Sequence, residues 1–258
     1  MEFADKKVVV TGAAGIFGGW IAEAFAQTGA RLCLSDLRGD LLPGVMERLG
    51  LDPEKTLLHE TDLTQAGSIT HLAEIVAEAW GAPDIVINCA GVYPRTGVLL
   101  DLDPAEFDRI MAVNVRAPFL VVQAMSRLMI AQGVTGCFIN IGSGAARQMP
   151  TGSVPYCMSK TALERLSKGQ ALELAPYRIR VNVVEPGFAP GSDFSPLPED
   201  YVTRMSARIP LGRNSAPQDT PSAVLFLCSG FASYITGAVL SVDGGNSIGT
   251  YQPAPTNT

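Results

Sequence analysis

The sequence predicts an α/β fold: one doubly wound domain spanning 1–258, with a seven-stranded parallel sheet sandwiched between helix layers. Three observations carry the prediction. Short β-branched runs alternate with segments of helical period along the whole chain. A glycine-rich turn follows the first of these runs directly. The ends of later strands carry small and polar residues, the edge of an open parallel sheet where ligands bind. No internal repeat and no linker divides the chain.

Taken in order, Val8-Val9-Val10 is a strand that ends in Thr11-Gly12-Ala13-Ala14-Gly15-Ile16-Phe17-Gly18. Ile21, Ala22, Phe25 and Ala26 then repeat at helical spacing. Strand, glycine turn and helix together form a unit whose N–H groups and helix N-terminus can neutralise a pyrophosphate without a lysine. The next strand, Arg31 to Ser35, ends in Asp36, at the distance where a dinucleotide fold sets an acid against the adenosine ribose hydroxyls. A 2′-phosphate at Asp36 would meet like charge, so NAD is the expected dinucleotide; Arg38 is the counterargument, being able to turn toward such a phosphate. A helix through Leu41–Leu49 leads to a strand around Thr56–His59 and then to Asp62-Leu63. Asp62 reads either as the cap of a helix starting near Thr64 or as a group beside the adenine amine, and the two are compatible. His59 and His71 read as structural or surface residues.

A helix over 66–79 precedes the strand Asp84-Ile85-Val86-Ile87-Asn88, which closes in Cys89-Ala90-Gly91, small residues that let backbone approach adenosine. Asp103-Pro104-Ala105-Glu106 is a specific helix start: cap, proline at the first position, acid at the third. Asn114 lies midway along the long helix that follows. Pro118, four residues on, has no N–H to give the Asn114 carbonyl, which leaves either a simple kink or a carbonyl free for water. Cys137–Ile141 is a buried strand. Ile179 to Val184 is another, ending in Glu185-Pro186-Gly187. Residues 188–200 carry Pro, Ser and two phenylalanines and read as a mobile substrate lid, with its hinge-to-hinge extent at about 188–212. A helix over 217–228 and the strand Val239–Val242, ending in Asp243-Gly244-Gly245, complete the sheet, and Tyr251–Thr258 read as a frayed or partner-docked tail.

Composition narrows the function. Net charge is −6 with Lys and Arg scattered, so nucleic-acid tracking has no electrostatic basis. Five cysteines, an odd number without a Cys-x-x-Cys pair, fit a reducing cytoplasm and offer no metal-ligand spacing. The N-terminal stretch lacks a secretory pattern, and no apolar run approaches the ~18 residues of a membrane span, so neither membrane nor metal enters the reading.

The chemistry gathers at Tyr156-Cys157-Met158-Ser159-Lys160. Spacing of four puts phenol and ammonium on one helix face, one turn apart. A phenol titrates near pH 10, and using it as a base near pH 7 requires a shift of roughly 3 units, about 4 kcal/mol, which a neighbouring ammonium can supply. Tyr-x-x-x-Lys alone is a weak motif. Its weight comes from Ser143 thirteen residues upstream, at the end of a buried strand, and from the nucleotide turn.

With these residues in place, the sequence resembles the short-chain dehydrogenase/reductase family, a Rossmann-type fold, along nearly its whole length, in the ~250-residue subclass. The ordered set is the glycine turn, Asp36, Asp62, Asn88-Cys89-Ala90-Gly91, Asn114, Ser143, Tyr156-x-x-x-Lys160, Pro186-Gly187 and Asp243-Gly244-Gly245. The resemblance implies that Tyr156 is the general acid/base, that Lys160 lowers its pKa and holds the nicotinamide ribose, that Ser143 orients the substrate oxygen and that Asn114 anchors a proton relay. It implies dinucleotide contacts at Gly12, Gly15, Ile16, Phe17, Gly18, Asp36, Asp62, Leu63, Asn88, Ala90, Gly91, Tyr156, Lys160, Pro186 and Gly187, and a homotetramer. Two positions depart from the pattern: Ile16 stands where the subclass has its middle glycine, with Gly15 before it, and Gly191 stands where a threonine often follows Pro-Gly.

The expected activity is hydride transfer between NAD(H) and a secondary alcohol or ketone. The alternatives are an NADPH-dependent 3-ketoacyl or carbonyl reductase and, from another class, a nucleotide-sensing binding protein without catalysis. Pocket candidates are Tyr93, Arg95, Ala145, Arg147, Met149, Phe188 and Phe194, an apolar set whose two arginines can receive an anion.

Overall fold

A computed structural model of the chain describes residues 2–93, 97–191 and 197–251. Arg95 and Phe194, part of the proposed lid, and the tail 252–258 lie outside the described residues. In chain order the elements are β1 (Lys7–Thr11), α1 (Ile16–Gln27), β2 (Arg31–Asp36), α2 (Leu42–Arg48), β3 (Thr56–Glu60), α3 (Ala66–Trp80), β4 (Ile85–Asn88), α4 (Pro104–Met111), α5 (Ala117–Ala131), β5 (Cys137–Ile141), α6 (Val154–Leu174), β6 (Arg180–Pro186), α7 (Glu199–Ser206), α8 (Asp219–Cys228) and β7 (Val239–Val242). The seven strands run parallel in the order β3-β2-β1-β4-β5-β6-β7.

Strand alternation divides the core into two layers. Val8, Val10, Leu32, Leu34, Ile85, Ile87 and Ile139 pack against Ile21 and Phe25 of α1 and Val224 and Leu227 of α8. Val9, Cys33, Val86, Phe138 and Val181 face Ile69, Leu72 and Val76 of α3 and Val121, Met125 and Met129 of α5. The order reverses between β1 and β4, and the cleft above their carboxyl ends is where a doubly wound sheet takes a ligand.

Two local readings change in the structure. Asp62 does not cap a helix: α3 begins at Ala66 with Gln65 before it, and Asp62 Oδ1 instead accepts from Thr64 N and Thr64 Oγ1, while its own N–H donates to Ser68 Oγ. The kink at Asn114 is a π turn over Ala112–Arg116, in which Ala117 N donates to Ala112 O. Pro118 removes the donor that an α-helical Asn114 carbonyl needs, and the widened turn is how the chain absorbs that loss. Asp103 caps α4 as its sequence implies, accepting from Ala105 N at 2.9 Å.

Candidate functional site

The glycine turn is shaped by backbone contacts. Gly12 has φ +67°, and a Cβ there would lie 2.7 Å from the backbone of Ala90, where the chain leaves β4. Gly18 is closed to a side chain by the Gly12 carbonyl. Thr11 Oγ1 accepts from Cys89 N and Ala90 N, tying the two loops together. α1 begins at Ile16 with no side-chain cap and no acid in its first turn, so its leading N–H groups face the cleft without an internal anion. Ile16 in place of glycine is accommodated because it is the first helical residue and half-buried, and Phe17 packs edge-on to Trp20 at 5.4 Å.

At the end of β2, Asp36 Oδ2 accepts from Ala14 N at 3.0 Å and Oδ1 from Arg38 N at 3.1 Å. Each oxygen keeps a lone pair for a hydroxyl. Asp36 is in register with Glu60 of β3, and Gly39 leaves room for Glu60, since a Cβ there would sit 2.6 Å from the Glu60 Cβ. A second carboxylate therefore stands behind the first, a feature only the strand register reveals. Leu63 is buried against α3, and Arg116 of the π turn donates to Thr64 O, bracing the Asp62 loop.

The Asn88 side chain is turned into the core. It is 4% exposed, and its amide donates to Asn140 Oδ1 at 2.7 Å, part of a buried ladder that continues from Asn140 to Ser167 and Gln170 of α6. Its role is to align β4, β5 and α6. At the far side, Gly187 N donates to Val242 O, and a Cβ on Gly187 would stand 3.0 Å from Asp243 Cα, so Pro186-Gly187 is pressed against the β7 turn.

The four expected chemical residues come from three directions. Ser143 follows β5 and its Oγ accepts from Ala145 N at 3.2 Å. Tyr156 and Lys160 lie on α6, whose Ser159 donates to Tyr156 O. Asn114 holds the loop after β4 in a two-point clamp: Oδ1 accepts from Val92 N and Nδ2 donates to Val92 O and Ser159 Oγ. A Cβ on Gly91 would sit 3.5 Å from Asn114 Oδ1 and 3.6 Å from Lys160 Nζ, so the glycine keeps the space between them open. Lys160 is buried, and its Nζ donates to Ile141 O at 2.8 Å.

The electrostatics correct one expectation. Burial pushes the Tyr156 phenol up to about 12, with the neighbouring Tyr93 adding to the rise, and the group that opposes it is Ser143 through a hydrogen bond, not Lys160. Lys160 Nζ lies over the ring, 5.8 Å from its centroid. Burial pulls Lys160 itself down to about 8. The protein alone therefore poises an acidified lysine beside a protonated phenol.

The aromatic wall extends beyond the sequence reading. Tyr93 packs edge-on to Tyr156 at 4.5 Å and hydrogen-bonds Ser153 and Tyr201 of α7, while Tyr201 packs on Phe188 at 6.0 Å. Nothing local in the sequence marks Tyr201, because α7 approaches Tyr93 only through the tertiary fold. Arg147 turns its Nη2 inward, donating to Glu185, Ser241 and Ser247. Met149 is exposed. His59 and His71 meet ring to ring at 5.1 Å, and their ring nitrogens hydrogen-bond Thr61 and Glu74.

Fold and cleft define a dinucleotide-dependent oxidoreductase: an uncapped helix and glycine turn fit a pyrophosphate, twin acids a ribose, and the buried ammonium retains hydrogens beyond the one given to Ile141. Residues 12–247 match the family model described as Enoyl-(Acyl carrier protein) reductase. A 3alpha-hydroxysteroid dehydrogenase of Mediterraneibacter gnavus is 35% identical over 95% of this chain and 98% of that protein. A 3-oxoacyl-(acyl-carrier-protein) reductase of Thermotoga maritima is 32% identical over 95% and 99%. The crystal structure of a short-chain type dehydrogenase/reductase from Mycobacterium marinum superposes with a TM-score of 0.88 at 33% identity, covering 95% of this chain and 97% of that one. The chain belongs to the short-chain dehydrogenase/reductase family and is a hydride-transfer oxidoreductase acting on alcohols or ketones.

Proposed function

We propose that the protein is an NAD(H)-linked dehydrogenase of secondary alcohols, or reductase of the matching ketones, with Tyr156 as general acid/base. The observation that carries this is the convergence of the Tyr156 phenol, the Ser143 hydroxyl and the Lys160 ammonium at the carboxyl edge of the sheet, beside the glycine turn. When bound, the nicotinamide supplies the hydride acceptor or donor and, oxidised, a positive ring. Ser143 holds the substrate oxygen by a hydrogen bond and stabilises the charge it gains. Tyr156 takes the hydroxyl proton in oxidation and returns it in reduction. Lys160 would hold the nicotinamide ribose and adds positive field, and the π turn at Asn114 would offer a carbonyl for a proton relay to solvent.

Asp36 and Glu60 support NAD over NADP. A 2′-phosphate about 4 Å from one carboxylate costs roughly 4 kcal/mol at an effective dielectric near 20, before Arg38 offsets part of it. The aromatic wall of Tyr93, Tyr201 and Phe188 supports an apolar substrate, and the inward commitment of Arg147 argues against an anion bound there. The NADPH-dependent 3-oxoacyl reductase remains the second reading, favoured by the Thermotoga maritima relative. The segment 188–212 serves as the lid within one dinucleotide-binding domain. Five free thiols support a reducing cytoplasm, and no described helix is long and apolar enough to cross a membrane. An apolar surface of Met111, Val115, Phe119 and Leu166 supports assembly into a homotetramer.

Tyr156→Phe tests the assignment. With an alcohol and ketone panel, kcat is expected to fall about 10²–10⁴-fold while the NADH dissociation constant stays within a few-fold. Full turnover in the variant would refute it.

A further inference from the structure

Beneath the catalytic pair lies a cluster of buried charge that the reaction as described does not use. Tyr156, Lys160 and Glu164 follow one another at intervals of four on α6, so they form a single row descending from the cleft. Opposite the lower end of that row stands Glu185, fully buried near the end of β6. The fold makes room for it: Gly142 lies alongside, where a Cβ would come 3.1 Å from Glu185 Cγ. Glu185 Oε2 is saturated, accepting from Arg147 Nη2 and from Ser241 Oγ at 2.8 Å. Glu185 Oε1 has no donor, and neither does Glu164 Oε1, although both atoms are sealed from solvent.

Two orphaned carboxylate oxygens in one buried place are costly separately and repulsive together. One proton removes both faults, because a carboxylic acid donates where a carboxylate accepts. We propose that Glu164 and Glu185 form an acid–carboxylate pair sharing one proton, and that the ionised member, Glu185, acts as a positioning residue whose negative charge keeps Lys160 protonated beside Tyr156.

The surroundings decide which member holds the proton. Glu185 is the member that faces the Arg147 guanidinium. The Glu164 carboxyl is raised, first by burial, then by its hydrogen bond to Glu185 and by that residue's charge; Arg147 and Lys168 oppose the rise. Around Lys160 the groups that favour its charge are Cys89 and Glu185. The Cys89 thiol is pushed up to about 12 by burial and stays neutral, which leaves Glu185 as the effective counter-charge. From the β7 turn, Asp243 faces the same cluster, but its carboxylate is spent on Gly245 N and Ser247 N.

The pH argument rests on Tyr156 and Lys160 being the acid/base pair, so its test has one arm that needs no turnover. In the full chain at neutral pH, infrared difference spectroscopy between parent and Glu164→Gln should show a protonated-carboxyl stretch in the parent that the variant lacks. Its amide can still donate to Glu185, so the fold is retained. Absence of that band in the parent overturns the pair whatever the enzyme catalyses. In the second arm, the alkaline limb of the kcat profile is expected to move down by about one pH unit in Glu185→Gln, a tenfold loss of proton affinity at Lys160, and less in Glu164→Gln, which keeps the Glu185 charge. Superimposable profiles for parent and a folded, NADH-binding Glu185→Gln would overturn the positioning role.

Discussion

The two ends of the dinucleotide cleft are built from different materials. At the adenosine end the glycine turn works through its main chain: Gly12, Gly18 and the uncapped start of α1 set where N–H groups point, and Thr11 locks the turn to the β4 loop. At the nicotinamide end, side chains from β5, α6, the π turn, the β4 loop and α7 must meet, and burial sets their properties. The first end tolerates little change of shape; the second tolerates shape better than change of charge. Recognition of phosphate and ribose is thus a property of backbone geometry, whereas proton transfer depends on how deeply a few groups are desolvated.

Substitutions can break this contrast, the largest effect first. Gly12→Ala forces a Cβ into the Ala90 backbone at a φ unfavourable to alanine. Stability is expected to fall by about 1–3 kcal/mol, with NADH affinity falling at least tenfold, read from thermal melts and fluorescence titration. Gly19→Ala, whose Cβ would meet the end of the flexible Arg48 side chain at 3.2 Å and the Ala13 carbonyl at an ordinary 3.6 Å, is the control and should melt near the parent. Asp36→Ala keeps the backbone but removes a charge. The ratio of kcat/KM for NADPH over NADH should rise about 10–100-fold, well short of the full Coulomb value because Glu60 remains.

Charge at the other end gives the subtlest signal. The buried Lys160 has its pKa lowered from 10.5 to about 8, so between those values the unfolded chain binds a proton that the folded chain has released. Where the unfolded state binds more protons, stability rises with pH. The ammonium's burial cost is therefore fully present below about pH 8 and relieved toward pH 10.5. Denaturant melts should show parent gaining on Lys160→Met across that window, and a gap independent of pH would mean that Lys160 is not desolvated as described.

The adenosine end was the more legible in sequence for the same reason that it is rigid. A glycine that must adopt φ +67°, a strand before it and an acid one strand later are local signals, and the structure has Gly12, Gly15 and Gly18 where β1 turns into α1 and Asp36 at the end of β2. The engagement of the Asn88 side chain with Asn140 was not visible because it depends on strand pairing. Glu60, Tyr201, Glu164 and Glu185 left no local trace; each gains its meaning from a neighbour far away in the chain. Tyr156 differs again: helical spacing brought the ammonium over the ring face, while in the chain without dinucleotide desolvation, invisible to spacing, raises the phenol.

The most direct measurement is a spectroscopic titration of Tyr156, taken as the tyrosinate absorbance that differs between parent and Tyr156→Phe, with and without NAD. Without dinucleotide the phenol should ionise only toward about 12. With NAD bound, its apparent pKa should drop by several units toward neutrality, as a base working near pH 7 requires. A phenol that stays protonated through pH 9 in the NAD complex would contradict the account.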